Sequence, residues 1–230
     1  MISEHPALPL PVAVTRLRRA RRLRLRVDHD RGLLKLTTPW RTSARTALAW
    51  AAEQRAWVEE QLRRAPPAQP FADGATIPFE SGELTIRHVP GGSRAALRVG
   101  QELQVGGPLT SVAAAVERWL RREARSRLSA ETARVADLAG VAVRSVSVGD
   151  AVSRWGSCSA SGAIRYNWRL ILAPADVLRF VVAHEVAHRL HMDHSPAFKQ
   201  AEERLFGGPV AEARSELRRL GPALRAVGRG

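Results

Sequence analysis

The residues best equipped for chemistry are His184-Glu185-Val186-Ala187-His188, followed six residues later by His194. At 3.6 residues per turn, His188 lies one turn beyond His184 and about 40° around the axis, so both rings can face one metal ion. Glu185 falls on the neighbouring flank, suited to take a proton from a water that the ion activates rather than to bind the ion. Four of the chain's seven histidines (His184, His188, His191 and His194) fall within these eleven residues, a clustering that a shuffled chain of this composition rarely produces. The plain alternative is a structural helix with surface histidines. A closed structural zinc site would need four protein ligands, usually cysteine-rich, and this chain has one cysteine, Cys158. The pattern predicts an open site for one Zn2+, although the same ligands also bind other divalent ions.

The third ligand needs a turn in the chain. His191 would fall only about 20° from His184 if the helix ran on, and three ligands in one line do not make a tetrahedron. His194 fits better. Ser195-Pro196 reads as the N-cap and first position of a new helix through Phe198 and Leu205, so the chain must turn between Leu190 and Ser195. Glu202 or Glu203 on that helix is the carboxylate alternative, since two histidines and a glutamate also hold catalytic zinc.

Other elements must carry this segment. Pro174 opens the metal helix at its first turn, Asp176 suits its positive end, and Phe180, Val181, Ala183, Val186, Ala187 and Leu190 make it mostly buried. Val141–Val148 and Ala163–Leu172 read as strands, with a turn at Trp155-Gly156-Ser157-Cys158. Thr110 to about Ala139 is a long helix stopped by Gly140. Upstream, Arg22–Val27 alternates Arg with Leu or Val and returns through Asp28-His29-Asp30-Arg31-Gly32 into Leu33–Thr38, a hairpin. Ser43–Arg64 reads as one helix ended by Ala65-Pro66-Pro67. Short strands are expected around Thr76–Phe79, Leu84–Val89, Ala95–Val99 and Glu102–Val105. No repeat is visible. The expected organisation is a β-rich part with one helix over residues 1–107 and a catalytic part over 108–230, the two forming one continuous compact unit.

Composition sets wider bounds. At 230 residues, 45% hydrophobic and 25% charged, the chain is an ordinary globular sequence. The N-terminal stretch has its apolar run broken by prolines and followed, not preceded, by arginines, unlike a secretory signal. No run is long enough to span a bilayer, and the cytoplasm is the expected location. The net charge of +14 is nearly all arginine, with Lys35 and Lys199 the only lysines. Such a field attracts nucleic acid, with Arg16, Arg18, Arg19, Arg21, Arg22, Arg24 and Arg26 as candidate phosphate contacts. A GC-rich genome writing arginine onto a solvated face produces the same count.

The spacing His-Glu-x-x-His-x5-His equals that of the metzincins, but their turn glycine is replaced by His191 and no methionine follows Met192. Arg154-Trp155-Gly156-Ser157-Cys158, Asn167-Trp168-Arg169-Leu170-Ile171-Leu172, Val182 to His188 and His194-Ser195-Pro196-Ala197-Phe198 instead resemble the YgjP-like metallopeptidases, relatives of the SprT-like proteases in the zincin clan. The resemblance is specific over 145–206 and weaker for the Arg-rich hairpin and helix before it. It implies an α+β zincin-like fold, zinc on His184, His188 and His194, Glu185 as general base, and a polypeptide substrate.

Lesser expectations complete the reading. Ala163–Leu172 is a candidate edge strand for an extended peptide. Arg154 and Asn167 are candidates to line the cleft, each equally able to be a structural polar group. Tyr166 is not expected to stabilise an oxyanion. Cys158 reads as a small core residue, His5, His29 and His88 as solvated, and the six tryptophans as core anchors. The rival readings are a nucleic-acid-associated protein and a zinc-stabilised scaffold without activity.

Overall fold

The computed structural model describes residues 2–28, 31–80 and 82–229. The chain divides into two units, Met1–Pro66 and Pro67–Gly230. The change of character expected near residue 107 is therefore not where the chain divides, because the strands over 76–105 share one core with the helices of residues 109–226.

In the first unit, strands β1 (Ile2–Ser3), β2 (Val12–Leu17), β3 (Arg24–Asp28) and β4 (Leu33–Pro39) form a sheet in the order β1-β2-β4-β3. The Arg/Leu alternation of β3 sets its register on β4, with Leu25 opposite Leu36 and Val27 opposite Leu34. Those residues turn inward and Arg24 and Arg26 turn outward, as period-two patterning requires. His29 and Asp30 of the expected turn lie outside the described residues. Val12 lies opposite Leu34 in a parallel pairing that joins β2 to the hairpin. Two helices, α1 (Ala44–Glu53) and α2 (Arg55–Arg64), replace the single helix expected, with Gln54 between them. Ala47, Ala51 and Val58 close the small core against Val12, Val27, Leu34 and Leu36.

The second unit opens with β5 (Thr76–Phe79), β6 (Gly82–His88), β7 (Leu97–Val99) and β8 (Glu102–Val105) in the order β5-β6-β8-β7. Here too the central pair is parallel and each outer pair antiparallel, so the two units repeat one sheet plan. Helix α3 (Leu109–Ala139) runs about 46 Å at 1.5 Å per residue. It buries Val112, Val116, Leu120, Ala124, Leu128, Thr132 and Val135 at helical spacing, and ends where Gly140 takes φ +65°. A three-stranded sheet comes next: β9 (Ser145–Gly149), β10 (Gly156–Cys158) and β11 (Ala163–Asn167), in the order β10-β11-β9.

The strand expected over 163–172 ends at Asn167, and Trp168–Leu172 coil into a buried 3-10 turn. The side chain of Asn167 favours this turn, since its Oδ1 accepts the Arg169 N–H at 2.9 Å and caps it. Three helices complete the unit: α4 (Ala175–Ala187), α5 (Pro196–Phe206) and α6 (Val210–Ala226), the last not foreseen. The architecture is α+β, as expected. No helix among the described residues is long and apolar enough to cross a membrane. Trp119 and Trp168 are core residues, but Trp40 and Trp57 are 56% and 42% exposed, against expectation.

Candidate metal centre

Helix α4 buries Val177, Leu178, Phe180, Val181, Val182, Ala183, Val186 and Ala187 and stops early. His188 is its C-cap rather than an interior residue, and the chain turns at once, with the N–H groups of Leu190 and His191 both reaching the Ala187 carbonyl. Arg189 fastens this turn, donating through Nε to the Ala142 carbonyl at 3.2 Å and through Nη1 to the Ala160 carbonyl at 3.1 Å. Six residues on, the Ser195 hydroxyl accepts the Phe198 N–H at 3.4 Å and starts α5. The turn and the cap together return His194 to the end of α4.

One ligand atom each from His184, His188 and His194 lies within 4.8 Å of the other two. The ring centroids are 5.0 Å apart for His184 and His188, 4.9 Å for His188 and His194, and 5.3 Å for His184 and His194. Phe198, buried on the first turn of α5, packs against all three rings at 4.6–5.1 Å. His191, the nearer candidate by sequence, gives its carbonyl instead: it accepts from His188 Nδ1 at 3.2 Å.

Of the two carboxylate alternatives for the third ligand, Glu203 is exposed and Glu202 is bonded to other groups. Glu202 is 1% exposed, and its Oε1 accepts from His184 Nδ1 at 2.7 Å while its Oε2 accepts from Arg214 of α6 at 2.7 Å. With Nδ1 donating in both His184 and His188, the Nε2 lone pairs are left for an ion. That is the arrangement in which partners beyond the ligands orient metal-binding imidazoles. Burial alone would push the Glu202 carboxyl up, but its bonds to His184 and Arg214 win and hold it below the usual range. Burial pushes His188 the other way, favouring its neutral, ligating form.

Glu185 is 4% exposed on α4 and abuts strand β10. A Cβ on Gly156 would fall 2.3 Å from its Oε1, so only glycine lets the strand pass this close. Burial pushes the Glu185 carboxyl up to about 7, against the pull of His184 and Arg154. A carboxyl balanced near neutrality can both accept and return a proton.

The remaining candidates separate cleanly. Asn167 is held by structural bonds, its Nδ2 donating to the Ala151 carbonyl at 3.0 Å while its Oδ1 caps the 3-10 turn, and it lines the same cavity as Arg154. Tyr166 is buried and shares a hydrogen bond with Thr132 at 3.0 Å; burial drives its phenol far above the ordinary range, which keeps it neutral. Cys158 is half-buried beside the core, with its thiol pushed up by burial. Strand β11 is the centre of its sheet, not an edge; β9 and β10 are the edges, and β10 is the one against Glu185. Arg154 is exposed and lines a cavity behind Gly156. His88 is tied down, its Nε2 2.7 Å from the Gly107 carbonyl. Sequence reasoning missed the roles of Phe198, Arg214 and Gly156; the Gly beside Trp155 was the one local signal of a close approach.

No curated protein sequence matches the chain significantly. Among solved structures it is similar to the crystal structure of the metallopeptidase zymogen of Pyrococcus abyssi abylysin, at 18% identity and a TM-score of 0.38, over 41% of this chain and 95% of that one. The sequence model of the YgjP-like metallopeptidase domain matches residues 21–220, spanning the histidine cluster, Glu185 and the sheets that hold them. The chain thus belongs to the YgjP-like metallopeptidase family.

Proposed function

We propose that this protein is a zinc-dependent peptidase of the zincin type, with His184, His188 and His194 as ligands and Glu185 as general base. The observation that carries the reading is the convergence of three imidazoles within 4.8 Å beside one buried carboxyl. The donor set fits a divalent ion of intermediate softness: neutral nitrogen ligands, two of them oriented through Nδ1. A zinc ion held there would supply Lewis acidity toward a peptide carbonyl and toward water. Glu185 takes the proton of the attacking water and returns it to the leaving amine, the task for which a carboxyl near pH 7 is suited. Strand β10, an edge of its sheet whose Gly156 lies against Glu185, would offer an extended peptide a strand to pair with. A single cysteine suits a reducing compartment, and the cytoplasm is the proposed location.

The test is Glu185→Gln. The variant should retain one zinc per chain by metal analysis and lose about 10²- to 10⁴-fold in peptide hydrolysis. Undiminished turnover would remove Glu185 from the mechanism.

A second, compatible reading is that the first unit binds nucleic acid. Residues 1–66 hold fourteen Arg or Lys against six Asp or Glu, a net +8 of the chain's +14. Among the described residues, none of the seven arginines from Arg16 to Arg26 enters an ion pair, and Arg18 lies over the exposed ring of Trp40 at 5.6 Å.

A further inference from the structure

Behind Gly156 lies a cavity of about 170 Å³ whose wall includes Asp150, Arg154, Trp155, Gly156, Arg165 and Asn167. It is a built feature. The guanidinium of Arg165 rests on Gly149, where a Cβ would fall 2.4 Å from Nε and Nη2. Trp155 is pinned by Arg225, whose guanidinium stacks on the ring at 4.2 Å and donates to the Ala151 carbonyl at 3.0 Å. Asn167 donates to the same carbonyl. The wall is shared with the candidate site, since Gly156 backs onto Glu185 and the charge of Arg154 reaches that carboxyl.

The charges in this cavity do not cancel. Asp150 is the one acid in its wall, and it is committed elsewhere, to Arg169 through Oδ1 and to Arg121 at 3.9 Å through Oδ2. Arg154 and Arg165 form no ion pair among the described residues. Two arginines without an ion-pair partner among the described residues, one of them also within the field of Glu185, therefore line a space far smaller than the ~300–1,000 Å³ of a small-molecule site. It suits a single side chain or a chain end. The guanidinium fork matches a carboxylate in geometry and charge, whereas a basic group would be repelled.

We infer that this cavity is a substrate subsite that takes a carboxylate of the peptide being cut, with Arg154 and Arg165 as its specificity-determining residues. The carboxylate comes from an aspartate or glutamate side chain or from the peptide's own C-terminus. The inference rests on the peptidase reading, and the experiment separates the two.

The probes are peptides of one sequence carrying Glu, Gln or Lys at each position in turn, each with a free or amidated C-terminus. With the zinc-loaded full chain, kcat/KM should favour Glu over Gln at one position, or the free over the amidated end, by about 10- to 100-fold, the worth of a charge-assisted bidentate contact. The Glu/Gln contrast identifies a side-chain source and the acid/amide contrast a C-terminal one. In Arg154→Gln and Arg165→Gln the ratio should fall toward one. Calorimetric binding of the same peptides to zinc-loaded Glu185→Gln supplies the readout without turnover, and the same preference should appear in Kd. Failure of the wild type to cut any peptide defeats the peptidase reading and leaves the subsite to be judged by binding. Equal Kd for Glu and Gln peptides and for acid and amide ends, or a preference that survives both arginine substitutions, overturns the subsite.

Discussion

His184 is held by two groups that never touch the ion site themselves. Glu202 accepts its Nδ1 proton, and Arg214 fixes Glu202 from the next helix. Loss of such an orienting partner typically weakens metal affinity 10- to 100-fold. Glu202→Ala should fall in that range by competition against a chelator, with Glu202→Gln less affected because it keeps an acceptor; wild-type affinity in Glu202→Ala would show that His184 needs no orienting partner. Glu185 makes the opposite kind of prediction, in the metal-free protein. Its folded carboxyl titrates near 7, above the ordinary 4.5. The unfolded chain therefore releases this proton first, and stability falls as pH rises from about 4.5 and keeps falling until pH passes about 7. The full penalty, on the order of 3 kcal/mol, stands above that. Metal-free Glu185→Gln should match the metal-free wild type near pH 4.5 and exceed its stability by up to that amount at pH 8 in urea unfolding. Both proteins carry the same histidines, so the difference isolates Glu185. Parallel pH profiles would mean that the carboxyl is not desolvated in the folded state.

At the scale of elements, the site depends on a helix stopping and another starting. Ser195 caps α5 through the Phe198 N–H, and the residue before it is His194. Ser195→Ala should cost about 1 kcal/mol of stability in urea unfolding and also weaken metal binding, because the cap fixes both the ligand and Phe198. A stability loss with no change in metal affinity would place His194 under other control. This much was readable in the sequence, since Ser-Pro before an apolar helix pattern is a local signal and the His-Glu-x-x-His spacing is fixed by helical geometry. The parallel pairing of β2 with β4 was not readable, because Val12 and Leu34 meet across a hairpin that leaves no periodic mark. The repeated sheet plan was hidden for the same reason: pairing order survives without any shared residues. Trp168–Leu172 continued the apolar run of β11, and the capping bond of Asn167 favours its turn into a 3-10 segment. Glu202 was visible as a carboxylate in range, but whether it faces the ion or the far nitrogen of His184 depends on Arg214, twelve residues away on another helix.

For the whole molecule, charge and core are divided in a way that allows the two units to be tested apart. Each unit has its own hydrophobic cluster with no residue in common, and the histidine cluster, Glu185 and the arginine-walled cavity all belong to residues 67–230. A fragment of those residues should fold cooperatively and bind zinc with the affinity of the full chain. If the first unit binds nucleic acid, the fragment should lose that property entirely, since it leaves behind the arginines from Arg16 to Arg26. Counterion release makes the claim quantitative. Each phosphate neutralised on a single strand contributes about −0.7 to the slope of log K against log salt, so contacts from seven arginines predict a slope near −5. Replacing Arg22, Arg24 and Arg26 by glutamine should shallow the slope by about 2. The affinities of the 230-residue chain, the triple variant and the fragment for a fluorescent single-stranded oligonucleotide, measured from 50 to 300 mM salt, read these expectations together. Absence of binding at the lowest salt would assign these arginines to solvent. A slope unchanged by the triple substitution would place the contacts elsewhere on this basic chain, and undiminished binding by the fragment would place them in the second unit.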